Sequence, residues 1–211
     1  LPLFNMSYAT SHIHDYSVKF YKKLEKELNT DIGFKVVGNL RTAQTQDRMD
    51  EFMLYSSTAD TVNIPYEWKN PKQIKDRWPL VYSEDLKGAI YHPTDGYINP
   101  ADLTQAIARS ARSNDVKIER KTQADSFYWD GNSWHVQCSK MFEKGGNLLV
   151  SKDKVTYIAE HVVTATGNHV QNTSKLLNTK IAAIPVEHQY IVTEEDPKLI
   201  EYRKNNDEHP V

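Results

Sequence analysis

The stretch EHVVTATGNHV, residues 160–170, decides the fold that the sequence predicts. Its β-branched residues predict a buried strand at 160–165 that ends in Ala165, Thr166 and Gly167. Small residues at a strand end let the backbone approach a dinucleotide, because no large side chain fills the space. The usual companion is G-x-G-x-x-G between a first strand and its helix, and none of the eight glycines starts that pattern. Either the Ala-Thr-Gly is an isolated strand end, or the chain holds only part of a nucleotide site.

The elements around this stretch predict an α/β fold with antiparallel additions. Predicted helices cover 11–28, a segment capped by Thr45, a short segment after Asn70-Pro71, 100–114 and a short segment after Gly167; predicted strands cover 34–43, 87–92, 116–119, 126–129, 134–138, 155–158 and 184–193. Asp130-Gly131-Asn132 predicts the turn of a hairpin. The resulting antiparallel meander precedes the buried strand. Such an inserted meander is a known decoration of dinucleotide folds.

Side-chain patterns predict which faces are packed. Ile13, Tyr16, Phe20, Leu24 and Leu28 recur at spacings of three and four, so the first helix should bury them. In the second helix, Met49, Phe52 and Met53 should face inward. Gly38 predicts a bulge or a close backbone approach within its strand.

Composition excludes several classes of protein. With 26 Lys+Arg and 28 Asp+Glu the formal charge is −2, so no nucleic-acid partner is expected. The one cysteine, Cys138, excludes an internal disulfide and fits a reducing compartment. No apolar run approaches the roughly 20 residues of a membrane helix, so no membrane span is expected. No metal site is predicted, because His12 and His14 do not share a helix face.

A resemblance to a known family rests on several motifs in order. HPTDGYINPADL, residues 92–103, resembles a P-x-D-G-x-x-D-P segment of the dimethylglycine and sarcosine dehydrogenase group, within the D-amino-acid oxidase superfamily. GNLRTA (38–43), the Ala-Thr-Gly and IPVEHQYIVT (184–193) match as well. The resemblance covers essentially the whole chain and identifies it as an internal fragment of a longer FAD-dependent amine oxidoreductase.

The resemblance implies a division of the chain into two interleaved parts. Residues 1–30 and 100–178 would form part of a Rossmann-like FAD domain carrying the inserted β-meander. Residues 31–99 and 179–211 would form part of an antiparallel-sheet substrate domain. The G-x-G-x-x-G unit would lie upstream of Leu1, so the isolated fragment is expected to be inactive and to bind FAD weakly.

The resemblance also implies the chemistry. The parent enzyme would oxidise a small N-methylated amino acid, such as sarcosine or dimethylglycine, by hydride transfer to FAD. Its electron acceptor would be oxygen or a carrier protein. The compartment would be the cytoplasm, or the mitochondrial matrix in a eukaryote.

Site residues follow by position. Tyr190 and His188 would accept or exclude the proton of the substrate amine. Both would lie on one face of the predicted strand, since alternate strand residues point to the same side. Ala124, Ala165, Thr166 and Gly167 would contact the cofactor, and Arg41 and His92 the substrate. For each residue a plain structural role is the alternative: strand packing for Tyr190, His188 and Ala124, a surface position for Arg41, and shaping of the domain junction for His92.

Two departures from the family pattern bear on these roles. Asn168 and His169 stand where the family often has an aromatic pair, and Asn99 replaces the aspartate of the D-P pair while keeping a helix cap. Two other readings stay open: another oxidoreductase of the superfamily, acting on a D-amino acid or glycerol 3-phosphate, and a non-catalytic α/β binding module.

Overall fold

A computed structural model describes residues 3–206 of the chain. It contains two compact units, one formed by Leu1–Val116 with Thr193–Val211 and the other by Lys117–Val192. The two units are defined by the compactness of their folds and carry no functional assignment. The division into FAD and substrate parts at 1–30 and 100–178 against 31–99 and 179–211 stays a prediction.

The first unit combines helices with two small antiparallel sheets. In chain order its elements are α1 (Tyr8–Leu28), β1 (Lys35–Val36), β2 (Asn39–Ala43), α2 (Gln46–Thr61), β3 (Glu67–Lys69), α3 (Pro71–Arg77), β4 (Gly88–His92), β5 (Gly96–Tyr97) and α4 (Pro100–Ser113), with α6 (Pro197–Arg203) joining from the C-terminal part. One sheet has the order β2-β4-β3, and the other pairs β1 with β5. The core of this unit lies where α2 packs on β2 and β4, around Phe52, Tyr55 and Ile90.

Helix starts follow the predicted caps. Thr45 accepts a hydrogen bond from the Arg48 backbone N–H, and Asn99 accepts from the second and third residues after it. Asn70 forms a capping box with Gln73 at the start of α3. These side chains satisfy backbone donors that have no partner inside the helix, so the local sequence is sufficient to place each start.

Strand pairing brings Arg41 and His92 to one sheet face. β2 and β4 are antiparallel, with Asn39 opposite His92 and Arg41 opposite Ile90. Ile90 and His92 are two residues apart, so their side chains point to the same side, and Arg41 is the diagonal neighbour of His92. This register creates the polar part of the candidate site.

The second unit is built on the predicted meander. β6 (Thr122–Trp129), β7 (Trp134–Lys144) and β8 (Asn147–Ala159) pair antiparallel in chain order. Asp130 closes the first turn by accepting from the backbone N–H groups of Asn132 and Ser133, both at 2.8 Å. A short 3₁₀ turn, Gly167–His169, leads into α5 (Val170–Leu176). The prediction of a mixed α/β fold with antiparallel sheets is therefore confirmed.

Three predicted strands are wrong. The structure assigns no strand at 116–119, 160–165 or 184–193. Val163 is 89% exposed and Ile191 is also 89% exposed, and no described strand pairs with either segment. β-branched composition favours extended backbone, but a strand also needs a neighbour that completes its hydrogen bonds.

Two predicted helix faces are partly wrong. Ile13 and Tyr16 are exposed, whereas Ser11, Val18 and Leu24 are buried in α1. In α2, Phe52 is buried but Met53 is 61% exposed. Spacing identifies an apolar stripe, but the packing partners decide which residues of it are covered.

One helix was not predicted. α6 is capped by Asp196, whose side chain accepts from the Lys198 backbone N–H, and Pro197 is its first helical residue. This is the same cap and proline signal as at Asn99-Pro100.

Candidate functional site: a cleft in the second unit and a buried polar cluster in the first

A cleft in the second unit brings together two of the predicted cofactor residues. Ala124 from β6 and Thr166 from the Ala-Thr-Gly both line it, and its volume is about 810 Å³. That volume lies within the range of about 300–1,000 Å³ typical of ligand pockets. Its other lining residues are Thr122, Gln123, Asp125, Phe127, Met141, Leu148, His169, Asn172, Thr173, Lys175 and Leu176.

The Ala-Thr-Gly is fixed to α5 through hydroxyl groups. Thr173 Oγ lies 2.8 Å from Thr166 Oγ and 3.2 Å from the His169 carbonyl oxygen, and Thr173 is buried. The single hydroxyl proton of Thr173 serves one of these acceptors at a time. The contact places Thr166 at the wall of the cleft.

Ala165 and Gly167 do not line this cleft. Both are exposed, and Gly167 has a φ of 51° with no atom within 4 Å of where a Cβ would lie. Glycine adopts this left-handed conformation without strain, so the backbone here is open to close approach. The predicted roles of both residues stay predictions.

The first unit contains a buried cluster of polar side chains around His92. His92 and Asp95 are fully buried, as is Tyr55 of α2. Tyr55 Oη lies 3.0 Å from His92 Nε2 and 3.4 Å from the Leu3 carbonyl oxygen. Asp95 Oδ2 accepts a hydrogen bond of 3.0 Å from the Leu3 backbone N–H. Tyr55 and Asp95 thus hold both backbone polar groups of Leu3.

Burial shifts the titration of this cluster in opposite directions. Loss of solvent lowers the pKa of His92 to about 4, assisted by the nearby Arg41 charge. Loss of solvent raises the pKa of Asp95 to about 6, opposed by the Leu3 hydrogen bond and by Arg41. Burial disfavours whichever form is charged, so the imidazole is neutral near pH 7 and the carboxyl is kept nearer its protonated form.

Arg41 is half-buried on the same face. Its guanidinium carbon lies 4.4 Å from the centre of the Phe4 ring, and its Nε is buried and donates no hydrogen bond. None of the ion pairs found among residues 3–206 includes Arg41. Desolvation lowers the pKa of Arg41, although that of an arginine stays far above neutral pH. The structure therefore places Arg41 as a half-buried cation beside His92, and its role toward substrate stays a prediction.

Tyr190 and His188 lie in the second unit, whereas Arg41 and His92 lie in the first. Tyr190 is 82% exposed, and its segment has no regular secondary structure. The expected alternation of strand faces is therefore absent there, and the roles of both residues stay predictions.

Sequence reasoning did not single out Phe4, Tyr55 or the side chain of Asp95. Tyr55 and Asp95 contact Leu3 across 52 and 92 residues of chain, respectively. Contacts at such separations leave no local pattern. For Tyr55, the sequence signal is the 3.6-residue period of α2, which places Tyr55 on the buried side of the helix with Phe52.

The fold of the chain is similar to that of several solved structures. The chain resembles L-proline dehydrogenase from P. horikoshii with a TM-score of 0.68 at 20% identity, covering 85% of this chain and 44% of that one. Glycine oxidase from Geobacillus kaustophilus gives a TM-score of 0.61 at 21% identity, covering 79% and 41%. At such identities the likeness shows the fold, which is shared with amino-acid oxidases and dehydrogenases.

Sequence similarity then gives the family. The model of the FAD dependent oxidoreductase family, DAO, matches residues 5–210, and the chain belongs to this family. The predicted recognition is confirmed, and the cofactor of the family is FAD, as predicted.

Individual relatives are similar over most of this chain. Dimethylglycine dehydrogenase of Rattus norvegicus is 30% identical over 190 residues, which is 89% of this chain and 20% of that protein. Pyruvate dehydrogenase phosphatase regulatory subunit of Mus musculus is 31% identical over 85% of this chain and 19% of that protein. 4-Methylaminobutanoate oxidase (formaldehyde-forming) of Paenarthrobacter nicotinovorans is 27% identical over 89% and 22%. The chain spans about a fifth of the length of these relatives.

The residues of the cleft fit part of an FAD molecule. Phe127, Met141 and Leu148 offer apolar surface for a ring, and Gln123 and Asn172 offer amide donors and acceptors. Ala124 is small enough to leave its backbone accessible. The phosphate-cradling G-x-G-x-x-G is not among the 211 residues, so the fit is to a part of the cofactor.

Among residues 3–206, no helix combines the length and the apolar character needed to cross a bilayer. Within the same residues, no group of three or more histidine, cysteine, aspartate or glutamate side chains is arranged to hold a metal ion.

Proposed function

We propose that the protein containing this chain oxidises a small N-methylated amino acid with FAD as the hydride acceptor. The observation that carries the proposal is the match of the chain to relatives whose names share this chemistry: dimethylglycine dehydrogenase, sarcosine dehydrogenase and 4-methylaminobutanoate oxidase. The compounds in these names, dimethylglycine, sarcosine and 4-methylaminobutanoate, each contain a methylated amine and a carboxylate. The activity is proposed for the whole protein, because the chain spans only part of such relatives.

The cleft supports a cofactor role for this chain. Ala124, Ala165, Thr166 and Gly167 would present backbone and small side chains to FAD, which supplies the hydride-accepting centre when bound. Thr166 is held at the cleft by Thr173, so this hydroxyl is positioned before any ligand arrives.

The substrate's two charged ends call for different residues. Arg41 is the half-buried cation suited to the carboxylate, since a guanidinium forms paired hydrogen bonds with it. His92, buried on the same sheet face, would contact the substrate beside Arg41. Tyr190 and His188 would accept or exclude the proton of the amine, which has to be neutral before hydride leaves.

Partners and compartment follow from this proposal. The substrate is a small amino acid, and either oxygen or a carrier protein reoxidises the flavin. The cytoplasm, or the mitochondrial matrix in a eukaryote, stays the predicted compartment.

Anaerobic flavin reduction tests the substrate class. The full-length protein loaded with FAD is mixed with dimethylglycine, sarcosine or 4-methylaminobutanoate, and the flavin absorbance is followed. The proposal expects at least one of them to bleach the flavin faster than glycine, proline, D-alanine or glycerol 3-phosphate. Faster reduction by one of the comparison compounds would assign the protein to a sister oxidoreductase.

A second candidate function is a non-catalytic regulatory role. It is favoured by the 31% identity to a relative named as a regulatory subunit of a phosphatase. This reading expects a protein that binds FAD but is reduced by none of the compounds above, so the same experiment separates the two functions.

A further inference from the structure

We propose that Phe4 is a positioning residue for the Arg41 guanidinium, and that Tyr55 and Asp95 act on Arg41 by clamping the Leu3 backbone beside it. The inference rests on the proposed function, in which Arg41 receives the substrate carboxylate. It assigns roles to Phe4, Tyr55 and Asp95, none of which is a site residue predicted from the sequence.

The clamp is a set of buried contacts between distant parts of the chain. Asp95 Oδ2 accepts from Leu3 N–H at 3.0 Å, and Tyr55 Oη approaches the Leu3 carbonyl oxygen at 3.4 Å. Both Tyr55 contacts are satisfied together when His92 Nε2–H donates to Tyr55 Oη and Tyr55 donates to Leu3. Leu3 itself is 3% exposed. The position of its backbone is thus defined at both polar groups.

Clamping Leu3 places the next side chain, Phe4. The Phe4 ring packs 4.1 Å from the Tyr55 ring centre and meets Phe52 edge-on at 5.7 Å. Arg41 lies over this ring, at 4.4 Å from its centre. Because Tyr55 and Phe52 hold the Phe4 ring from two sides, the ring offers a fixed surface that restricts the position of the Arg41 guanidinium.

Arg41 has an unusual lack of partners for a half-buried cation. Its Nε is buried without an acceptor, and no carboxylate among residues 3–206 lies within ion-pair distance. Burying a cation without a counter-ion is costly, which makes the site receptive to an anion. Asp95 Oδ2 accepts from Leu3, Asp95 Oδ1 is buried without a hydrogen-bond partner, and the carboxylate acts on Arg41 only through space. A planar carboxylate is the anion that matches an oriented guanidinium.

The test compares ligands with and without the carboxylate in the full-length, FAD-loaded protein. N,N-Dimethylglycine carries it, whereas N,N-dimethylethanolamine has a hydroxymethyl group in its place. Phe4→Leu keeps apolar bulk but removes the ring, and should raise the apparent Kd for dimethylglycine about 3- to 30-fold. The limiting rate of flavin reduction and the Kd for dimethylethanolamine should change by less than about twofold.

Matched variants separate positioning from folding. Phe4→Tyr keeps the ring and should bind as the parent does. Phe34→Leu removes another ring that has a cation over it, Lys22 at 5.7 Å in the same unit, and should leave both ligands unaffected. If Phe4→Leu does not fold, Arg41→Lys is the second variant, expected to lose carboxylate binding selectively because it lacks the paired donors.

The dissociation constants of the two ligands decide the inference. An unchanged Kd for dimethylglycine in Phe4→Leu, or equal weakening for both ligands with a slower limiting rate, overturns the inference. If dimethylglycine fails to reduce the parent protein, the proposed function fails, but acetate titrated by calorimetry still tests the clamp. Weaker acetate binding in Phe4→Leu than in Phe34→Leu then supports the inference, and equal binding rejects it.

Discussion

At the scale of single residues, burial sets the chemistry of this chain more than residue type does. His92 and Asp95 are common titratable groups, yet both are fully buried within one polar cluster, together with Tyr55. Arg41 faces the cluster from β2, and Tyr55 faces it from α2. The loss of solvent moves the two pKa values in opposite directions across the same pH interval.

These shifts predict how stability depends on pH. The raised pKa of Asp95, about 6 against an ordinary 3.8, stabilises the fold below pH 4 and loses this effect as the pH rises toward 6. The lowered pKa of His92, about 4 against 6.5, stabilises the fold above pH 6.5 and loses this effect as the pH falls toward 4. Between pH 4 and 6 the two contributions offset each other.

Replacing either Asp95 or His92 should reveal the pH dependence of stability that the other residue contributes. We expect Asp95→Asn to become more stable as the pH rises from 4 to 6.5, and His92→Gln to become less stable over the same interval. Urea unfolding midpoints at several pH values measure this, with the parent protein as the flatter reference. Equal slopes in both variants would contradict the account.

The hydroxyl of Tyr190 is proposed to accept or exclude the proton of the substrate amine. If its hydroxyl manages the amine proton, Tyr190→Phe should slow flavin reduction by about 10²-fold or more, as is typical for loss of a general acid or base. Stopped-flow reduction of the FAD-loaded protein measures the rate. Tyr128→Phe is a suitable control, because Tyr128 is also exposed in the second unit, at 64%. Equal rates in the two variants would reject a proton-accepting role for Tyr190.

At the scale of elements, caps and turns could be predicted from sequence, but unpaired strands could not. Thr45, Asn70 and Asn99 act within three residues of themselves, so the helices they begin were found. The Asp130 turn likewise predicted β6 and β7. The segments at 160–165 and 184–193 have the composition of strands, but pairing is a non-local property. Ala124 and Thr166 were predicted from family position and their cofactor roles stay predictions, whereas the contacts of Leu3 join residues far apart in the chain and leave no local pattern.

Gly38 is the element-level feature with the sharpest test. Its φ is 82°, and an added Cβ would lie 2.3 Å from Tyr91 Oη. Gly38→Ala should therefore destabilise the protein by about 1–3 kcal/mol through backbone strain and crowding together. Gly146→Ala is the control, because Gly146 has a φ of 77° but nothing within 4 Å. Unfolding midpoints should fall further for Gly38→Ala, and equal losses would mean that the contact with Tyr91 is unimportant.

At the scale of the whole molecule, the two compact units each carry part of the candidate chemistry. The cleft with Ala124 and Thr166 belongs to one unit, and the Arg41 and His92 cluster belongs to the other. Neither unit holds a phosphate-binding glycine motif. Because the chain spans about a fifth of the length of its curated relatives, the activity is proposed for the whole protein that contains it, and the chain alone is predicted to bind FAD weakly.

We propose that the protein containing this chain oxidises an N-methylated amino acid through FAD, and this claim can be tested directly. The most direct measurement is the anaerobic absorbance spectrum of the full-length, FAD-loaded protein before and after adding dimethylglycine, sarcosine or 4-methylaminobutanoate. We predict a flavin spectrum that bleaches with at least one of these compounds and is unchanged by buffer alone. A flavin spectrum that none of them alters would contradict the claim and favour a regulatory role.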